Sequence, residues 1–398
     1  MQQKPAPSPL RRHWELSPGV VYLTHGTFGA CPRPVLEWQS RLRSELESGP
    51  VQFLTRRYEE HLAPNRAALA DFIGARPRDL VFTINATAGV NAVVRSLEFR
   101  PDDEILTTSH DYNACRNTLT ETARRTGARV VVATIPFPLR HADEVSESVL
   151  RAVTPRTRLA LIDHVTSPTA LVFPVAQLVR ALESRGVDTL VDGAHAPGML
   201  PLNLAELRPA YYTGNLHKWV CAPKGAAFLW VREDRQAPIL PPVISHGYNT
   251  SWPGETPFQH RFDWPGTFDP TPWLCVGEAL RWMGALLPGG WPELQQRNRD
   301  LLLEARRAVC ARLEFDPPCP EEMLGSMATL PLPEKFQSRT SDTRISPDQL
   351  NLFDRFGIEV PFIRFGSPVR RWFRLSAQIY NTRAEYDYLA EALFDRAN

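Results

Sequence analysis

The 398-residue chain has no excess of charge of either sign. Its 45 Lys and Arg residues nearly balance its 44 Asp and Glu residues, and the net charge is +1. Proteins that bind nucleic acids or anionic membrane surfaces present a concentrated basic face. The sequence therefore predicts neither a nucleic-acid partner nor a membrane partner.

Cysteine pairs and long apolar runs are also missing. The six cysteines lie far apart with no CxxC pair, so neither a zinc site nor a dense disulfide framework is indicated. No 18 uncharged apolar residues run together, and the N-terminal "MQQKPAPSPLRRHWELSPG" has no apolar signal-peptide core. We expect a cytoplasmic protein without a metal site.

Lysine is the scarcest charged residue. Lys4, Lys218, Lys224 and Lys335 are the only four in the chain, so arginine carries nearly all the positive charge. Lys218 lies in the apolar stretch "TGNLHKWVCAPKGAAFLWV". A lysine amine can lose its proton and attack a carbonyl, which arginine does not do. Genome base composition also explains the arginine excess, so this stretch alone leaves both interpretations open.

Short apolar runs rich in β-branched residues alternate with stretches of helical pattern from residue 80 onward. This order predicts an α/β fold with a mostly parallel sheet covered by helices on both faces. The seven runs expected to be strands are residues 80–84, 104–108, 129–135, 158–165, 188–193, 210–214 and 226–231.

After residue 270 this alternation gives way to longer helical patterns, which are followed by Pro-rich loops and short apolar runs. We expect an N-terminal arm over residues 1–20, a large domain over residues 21–270 and a smaller α+β domain over residues 271–398. Helices before residue 80 are expected to pack across both domains.

Polar or small residues follow three of the predicted strands, where ligands bind in open α/β sheets. Small residues at Asn85–Gly89 precede a helix expected to begin near Gly89, whose bare amides would attract phosphate. Asp192 ends an apolar strand, where a carboxylate needs a partner; a helix cap or loop ion pair is the alternative. With Lys218, these features match what pyridoxal 5′-phosphate (PLP) requires. No GxGxxG motif follows the first strand, which disfavours a dinucleotide site.

Five motifs occur in order over most of the chain: "VYLTHGTFGACPRPV", "VDGAHAPG", "GNLHKW", "WPGTFDPTPWL" and "FRLSAQIYNT". Together they resemble the class V aminotransferase family of fold-type I PLP enzymes, and within it the isopenicillin N epimerase-like branch. The resemblance implies a homodimer that acts on an amino acid through a Cα carbanion, most simply as an epimerase. A C–S β-lyase is the alternative, because similar sequences also cleave cysteine-like substrates. An aminotransferase or a non-catalytic module is a weaker alternative.

The resemblance also implies roles for individual residues. Lys218 would form the Schiff base with the cofactor aldehyde, Asp192 would pair with the ring nitrogen, and His195 would approach the phenolic oxygen. The phosphate would be held by the amides of Ala86 and Thr87, by Asn215 and His217, and by Thr267 contributed across a dimer interface.

On the substrate side, the resemblance implies that Arg374 binds the carboxylate with its two-pronged guanidinium. Tyr112 would stack on the cofactor ring, with His110 as the competing choice and a core aromatic as the plain alternative for Tyr112. The Tyr112 hydroxyl is also the first candidate for a proton donor on the second face of Cα. His25 is a further candidate for a substrate contact.

Two departures from the family pattern matter. Cysteine desulfurases of this superfamily need a mobile cysteine before the C-terminal arginine, and "PFIRFGSPVRRWFRL" contains none. Persulfide transfer by that route is therefore not expected. The phosphate turn "NATAG" also has Thr87 as its only side-chain hydroxyl, where many relatives carry two adjacent threonines.

Overall fold

The computed structural model describes residues 4–250, 255–337 and 345–394. The start of the expected arm (1–3), the end of the expected small domain (395–398), and residues 251–254 and 338–344 lie outside these ranges. The strands are β1 (Val21–Tyr22), β2 (Leu80–Thr83), β3 (Glu104–Thr108), β4 (Arg129–Ala133), β5 (Thr157–Asp163), β6 (Asp188–Asp192), β7 (Tyr211–Asn215), β8 (Ala227–Val231), β9 (Met327–Pro331), β10 (Ile358–Glu359), β11 (Phe362–Phe365) and β12 (Arg370–Ser376).

The α-helices fall between these strands and after the last of them. They are α1 (His25–Phe28), α2 (Arg33–Ser48), α3 (Pro50–Gln52), α4 (Tyr58–Phe72), α5 (Ala86–Ser96), α6 (Asn113–Thr126), α7 (Asp143–Arg151), α8 (Val175–Glu183), α9 (Leu204–Leu207), α10 (Pro257–Asp263), α11 (Thr271–Leu274), α12 (Val276–Gly284), α13 (Gly290–Leu313), α14 (Glu334–Gln337), α15 (Pro347–Phe356) and α16 (Arg383–Phe394). Among the described helices, none is both long and apolar enough to cross a membrane.

A seven-stranded sheet forms the centre of the molecule, in the order β2-β8-β7-β6-β5-β3-β4. All seven predicted strands are confirmed. Strand β8 runs antiparallel to its neighbours β2 and β7, whereas the other neighbouring strands are parallel. The carboxyl ends of the parallel strands therefore meet at one edge, which we call the carboxyl edge.

Alternate residues of the central strands pack into two separate apolar cores, one on each face of the sheet. Leu190 of β6 belongs to the core that includes Val90 and Val93 of α5. The next residue, Val191, belongs to the core that includes Leu178 and Val179 of α8. Because a strand buried on both faces needs apolar residues at nearly every position, β6 reads as a continuous apolar run.

The helix after β2 begins earlier than expected. It starts at Ala86 rather than near Gly89, because the Asn85 side chain accepts a hydrogen bond from the Ala88 N–H at 2.8 Å and caps the helix. Gly89 lies inside the helix, where a Cβ would overlap the Thr213 side chain of β7. Glycine at this position lets α5 approach the carboxyl edge closely.

The C-terminal part contains a three-stranded antiparallel sheet in the order β11-β12-β9, with α13 and α16 in contact beside it. Strand β1, from the start of the chain, pairs in parallel with β10. The segment that follows β1 is therefore anchored to the C-terminal part while it extends toward the carboxyl edge of the large sheet.

Candidate active site

Lys218 lies beyond the end of β7 and is half-buried. Its Nζ is 3.1 Å from Nε2 of His195. Burial lowers the pKa of Lys218 to about 7, with a further lowering by Arg374 that Asp192 partly opposes. A large fraction of this amine is neutral at physiological pH, which is the form that attacks a carbonyl.

The backbone around Lys218 is held by the segment after β1. Gly29 adopts φ +70°, and a Cβ there would overlap the His217 carbonyl oxygen. His25 is fully buried; its Nε2 donates to the Lys218 carbonyl at 3.0 Å and its Nδ1 pairs with the Tyr380 hydroxyl at 2.7 Å. Both ring nitrogens are thus engaged by protein, and burial lowers the pKa of His25 to about 3. This placement argues against the expected substrate contact and for a role in holding the lysine backbone.

Asp192 is a buried carboxylate with two hydrogen-bond donors. Its Oδ1 accepts the Ala194 N–H at 2.9 Å, and its Oδ2 accepts the Cys115 thiol at 3.2 Å. Burial raises the pKa of Asp192, and these two donors and Lys218 act in the opposite direction. Asp192 is thus held in place by two donors, and both of these hydrogen bonds stabilise its ionised form.

Sequence reasoning missed the contact of Cys115 with Asp192, because no local pattern relates two residues 77 positions apart. It also missed Asp163, which ends β5 as Asp192 ends β6, with the two residues in register. A signal for Asp163 was present, since it closes an apolar run in the same way as Asp192.

The N-terminus of α5 forms the candidate phosphate cradle. The Ala86 N–H donates to Asn215 Oδ1 at 2.9 Å, so this amide already has a partner within the protein. The Thr87 N–H has no hydrogen-bond partner in the part of the chain that the structure describes. The His217 Nδ1 donates to the Ala226 carbonyl at 3.1 Å. An anion at this helix end would therefore find the Thr87 amide open.

Arg374 in β12 carries a buried guanidinium with no carboxylate partner among the described residues. It donates to the Ser167 carbonyl, to the Ser167 hydroxyl at 3.2 Å and to the Thr27 hydroxyl at 3.1 Å. Its Nε has no described partner, and burial lowers its pKa to about 10. A buried guanidinium of this kind favours a carboxylate ligand, as expected for Arg374.

Tyr112 and His110, the two candidates for stacking on the cofactor ring, have different surroundings in the structure. His110 is fully buried; its Nδ1 lies 2.7 Å from the Thr169 hydroxyl and its Nε2 donates to the Ile135 carbonyl at 3.2 Å. Tyr112 is 46% exposed. The side chain of Tyr112 is therefore more accessible than that of His110. Its stacking on the cofactor ring stays a prediction. Thr267 is exposed on the protomer surface, as a residue that contacts another subunit would be.

The residues at the carboxyl edge fit PLP. Lys218 matches its aldehyde, Asp192 its pyridine nitrogen and the Thr87 amide its phosphate. The buried Nδ1 of His195, like Nε of Arg374, has no hydrogen-bond partner within the described ranges. Such unpaired buried polar atoms are costly unless a ligand pairs with them.

Comparison with known proteins agrees with this chemistry. The chain is 35% identical to isopenicillin N epimerase of Amycolatopsis lactamdurans over 96% of each chain. It is 29% identical to putative L-cysteine desulfhydrase 1 of Oryza sativa subsp. japonica, over 94% of this chain and 83% of that one. Its fold resembles a mutant of C-DES with glycine covalently linked to the PLP cofactor, with a TM-score of 0.79 and 21% identity over 98% and 100% of the two chains.

The match to a protein family covers more than half of the chain. Residues 38–302 match the family described as Aminotransferase class-V. This range includes Lys218, Asp192 and the α5 cradle. The chain therefore belongs to the class-V aminotransferase family.

Proposed function

We propose that the protein is a PLP-dependent epimerase that inverts the α-carbon of an amino acid. The observation that carries this proposal is the amine of Lys218, which lies 3.1 Å from Nε2 of His195 and whose pKa is lowered by burial to about 7. Similarity to isopenicillin N epimerase over 96% of the chain favours epimerisation.

When bound, PLP supplies an aldehyde for the amine and a ring that withdraws electrons from Cα. Lys218 would accept the α-proton on one face, because its neutral amine is a base at physiological pH. Asp192 would keep the ring nitrogen protonated, and Arg374 would orient the substrate through its carboxylate. The Tyr112 hydroxyl, half exposed beside the site, would return a proton to the opposite face.

We further propose a homodimer in which the partner subunit's Thr267 completes the phosphate cradle. Two observations support this arrangement. Thr267 is exposed on its own protomer. The α5 cradle has an open amide at Thr87, and Asn215 already uses the amide of Ala86. Light scattering of an active sample tests it, and a fully active monomer would contradict it.

A C–S β-lyase is the second candidate function. The similarity to an L-cysteine desulfhydrase and the fold shared with the cystine C–S lyase C-DES favour it. Both reactions begin with removal of the α-proton, so the same Lys218, Asp192 and Arg374 serve either. A persulfide-carrying mechanism is disfavoured, because all six cysteines are buried.

Proton NMR in deuterated water with the PLP-loaded protein and a panel of amino acids separates the two reactions. An epimerase incorporates deuterium at Cα and yields both stereoisomers with the carbon skeleton intact. A lyase acting on cysteine-like substrates releases pyruvate, ammonia and a sulfur product. Pyruvate release without inversion of any tested amino acid would replace the proposal with the lyase. Lys218→Ala is the control for chemistry independent of the site.

A further inference from the structure

Asp163 places a second carboxyl group at the carboxyl edge, beside Asp192. The two residues are Cα partners at the ends of the parallel strands β5 and β6. Side chains of paired residues on neighbouring strands point to the same face of a sheet, and the strands lie about 4.8 Å apart. Asp163 is 3% exposed and Asp192 is 4% exposed. Two carboxyl groups therefore lie side by side with almost no access to water.

The hydrogen bonds of the two carboxyl groups differ. Each oxygen of Asp192 accepts a bond, from the Ala194 N–H and from the Cys115 thiol. The Oδ2 of Asp163 is buried without a partner in the described part of the chain. Hydrogen bonds to an ionised carboxylate stabilise the charge. A single negative charge is therefore more stable on Asp192 than on Asp163.

The one nearby cation that acts on Asp163, Arg116, opposes the rise of its pKa only in part, as does a hydrogen bond from the backbone of Asp163. Arg116 is engaged elsewhere, since its Nε donates to Asp111 Oδ2 at 2.7 Å and its Nη2 to the Thr108 carbonyl at 2.7 Å. Burial raises the pKa of Asp163 well above its usual range, and the charges of Asp192 and Asp111 raise it further. The titratable and charged groups that act on Asp163 are Asp192 of β6, Asp111 before α6, and Cys115 and Arg116 within α6.

We propose that Asp163 is a positioning residue that keeps a proton beside Asp192, so that the pair presents one negative charge, on Asp192, to the ring nitrogen of the cofactor. Two ionised carboxylates at this distance would repel each other strongly in a buried site. A neutral Asp163 removes this repulsion and leaves Asp192 as the one base that faces the nitrogen. The link to the ring nitrogen rests on the proposed function, whereas the protonation of Asp163 does not.

Infrared difference spectroscopy of the cofactor-free protein tests the protonation directly. Subtracting the spectrum of Asp163→Asn from that of the wild type at pH 7 should leave the carbonyl-stretching band of a protonated carboxylic acid, shifted in deuterated water. Asp188→Asn is the matched control, because Asp188 lies at the other end of β6 and pairs with Arg235 at 2.9 Å. Its difference spectrum should show a carboxylate. A carboxylate signature for Asp163 would overturn the proposal.

Urea unfolding of the cofactor-free protein between pH 5 and pH 8 provides a second measurement. A carboxyl group whose pKa is raised by folding stabilises the protein fully below its unfolded pKa, and this stability is lost as pH rises toward the folded pKa. The unfolding equilibrium constant of the wild type should therefore rise about tenfold more per pH unit than that of Asp163→Asn. Equal slopes would contradict the proposal. Asp163→Ser, also uncharged, replaces Asp163→Asn if that variant does not fold.

Addition of PLP separates this inference from the proposed function. The acid band of the wild type should persist when PLP is bound, because Asp192 supplies the charge for the nitrogen. Loss of the band on PLP binding would show that Asp163 gives up its proton and would overturn the positioning role. Absence of any PLP-dependent absorbance in the wild type would instead contradict the proposed function. The carboxylic-acid band of the cofactor-free protein would still report on the protonation of Asp163.

Discussion

Charged side chains at the two edges of the central sheet differ in whether they form ion pairs. At the edge where the parallel strands begin, Glu104 of β3 pairs with Arg156 at 3.1 Å and Asp188 of β6 pairs with Arg235 at 2.9 Å. At the carboxyl edge, Asp192 is buried and Lys218 is half-buried, and neither forms an ion pair within 4.0 Å in the described structure.

This difference separates a solvated edge from a ligand-binding edge. Partly exposed ion pairs contribute little to stability and need no ligand. Buried polar and charged groups without partners carry a desolvation cost, and shifted pKa values at such groups mark candidate functional sites. A ligand bound at the carboxyl edge would supply the missing partners and offset this cost.

The largest expected effect follows from Lys218→Ala. Removal of the amine eliminates both the covalent link to the cofactor and the base for the α-proton, so turnover should fall by about 10⁴-fold or more. Steady-state turnover of the PLP-loaded variant is the measurement. Lys224→Ala is the matched control, because Lys224 is exposed and lies six residues further along the same stretch. A comparable loss in Lys224→Ala would contradict the assignment.

A smaller loss is expected for Asp192→Asn. The amide retains the shape of the carboxylate but loses the charge that holds the ring nitrogen protonated, so kcat should fall by roughly 10²–10³-fold. Absorbance of the bound cofactor should show that PLP is still present. The control is Asp188→Asn at the opposite end of β6, which should turn over normally. Near-normal kcat in Asp192→Asn would show that this carboxylate is structural.

Arg374→Lys should act mainly on substrate binding. Lysine keeps the positive charge but loses the two-pronged geometry, so KM should rise by about 10- to 100-fold, which corresponds to about 1.5–3 kcal/mol for a hydrogen bond to a charged group. Initial rates across a range of amino-acid concentrations give KM and kcat separately. Arg364→Lys, an exposed position on the neighbouring β11, is the control. An unchanged KM would remove Arg374 from the substrate site.

The smallest effect is expected at the solvated edge. Arg235→Ala removes a partly exposed ion pair with Asp188, so the free energy of unfolding should change by less than about 1 kcal/mol. Chemical denaturation measures this value, and turnover should be unaffected. A loss of several kcal/mol or of activity would show that the two edges are not as different as their ion pairs indicate.

Local patterns predicted the large sheet well. The seven apolar runs became the seven strands within two residues at nearly every end, because burial on both faces demands apolar side chains along the whole strand. The pattern places the start of α5 about three residues late, because it does not reveal the capping bond from Asn85. Helix caps depend on one side-chain contact, which an apolar pattern does not reveal.

Contacts between distant parts of the chain were beyond local patterns. Pairing of β1 with β10 brings His25 and Gly29 against the Lys218 backbone, and only the fold shows that both ring nitrogens of His25 contact protein groups. The Cys115 contact with Asp192 is of the same kind. Family motifs identify Lys218, Asp192 and Arg374 as candidate site residues. The residues that hold them in place are identified only by the structure.

Reduction of the PLP-loaded protein with borohydride, followed by peptide mapping by mass spectrometry, tests the central claim most directly. Reduction fixes the cofactor permanently to the amine that binds it, and the chain offers four lysines to choose among: Lys4, Lys218, Lys224 and Lys335. We predict that the phosphopyridoxyl group is found on Lys218 alone. Stoichiometric labelling of Lys224, or a failure to label any lysine of yellow, PLP-saturated protein, would contradict the account.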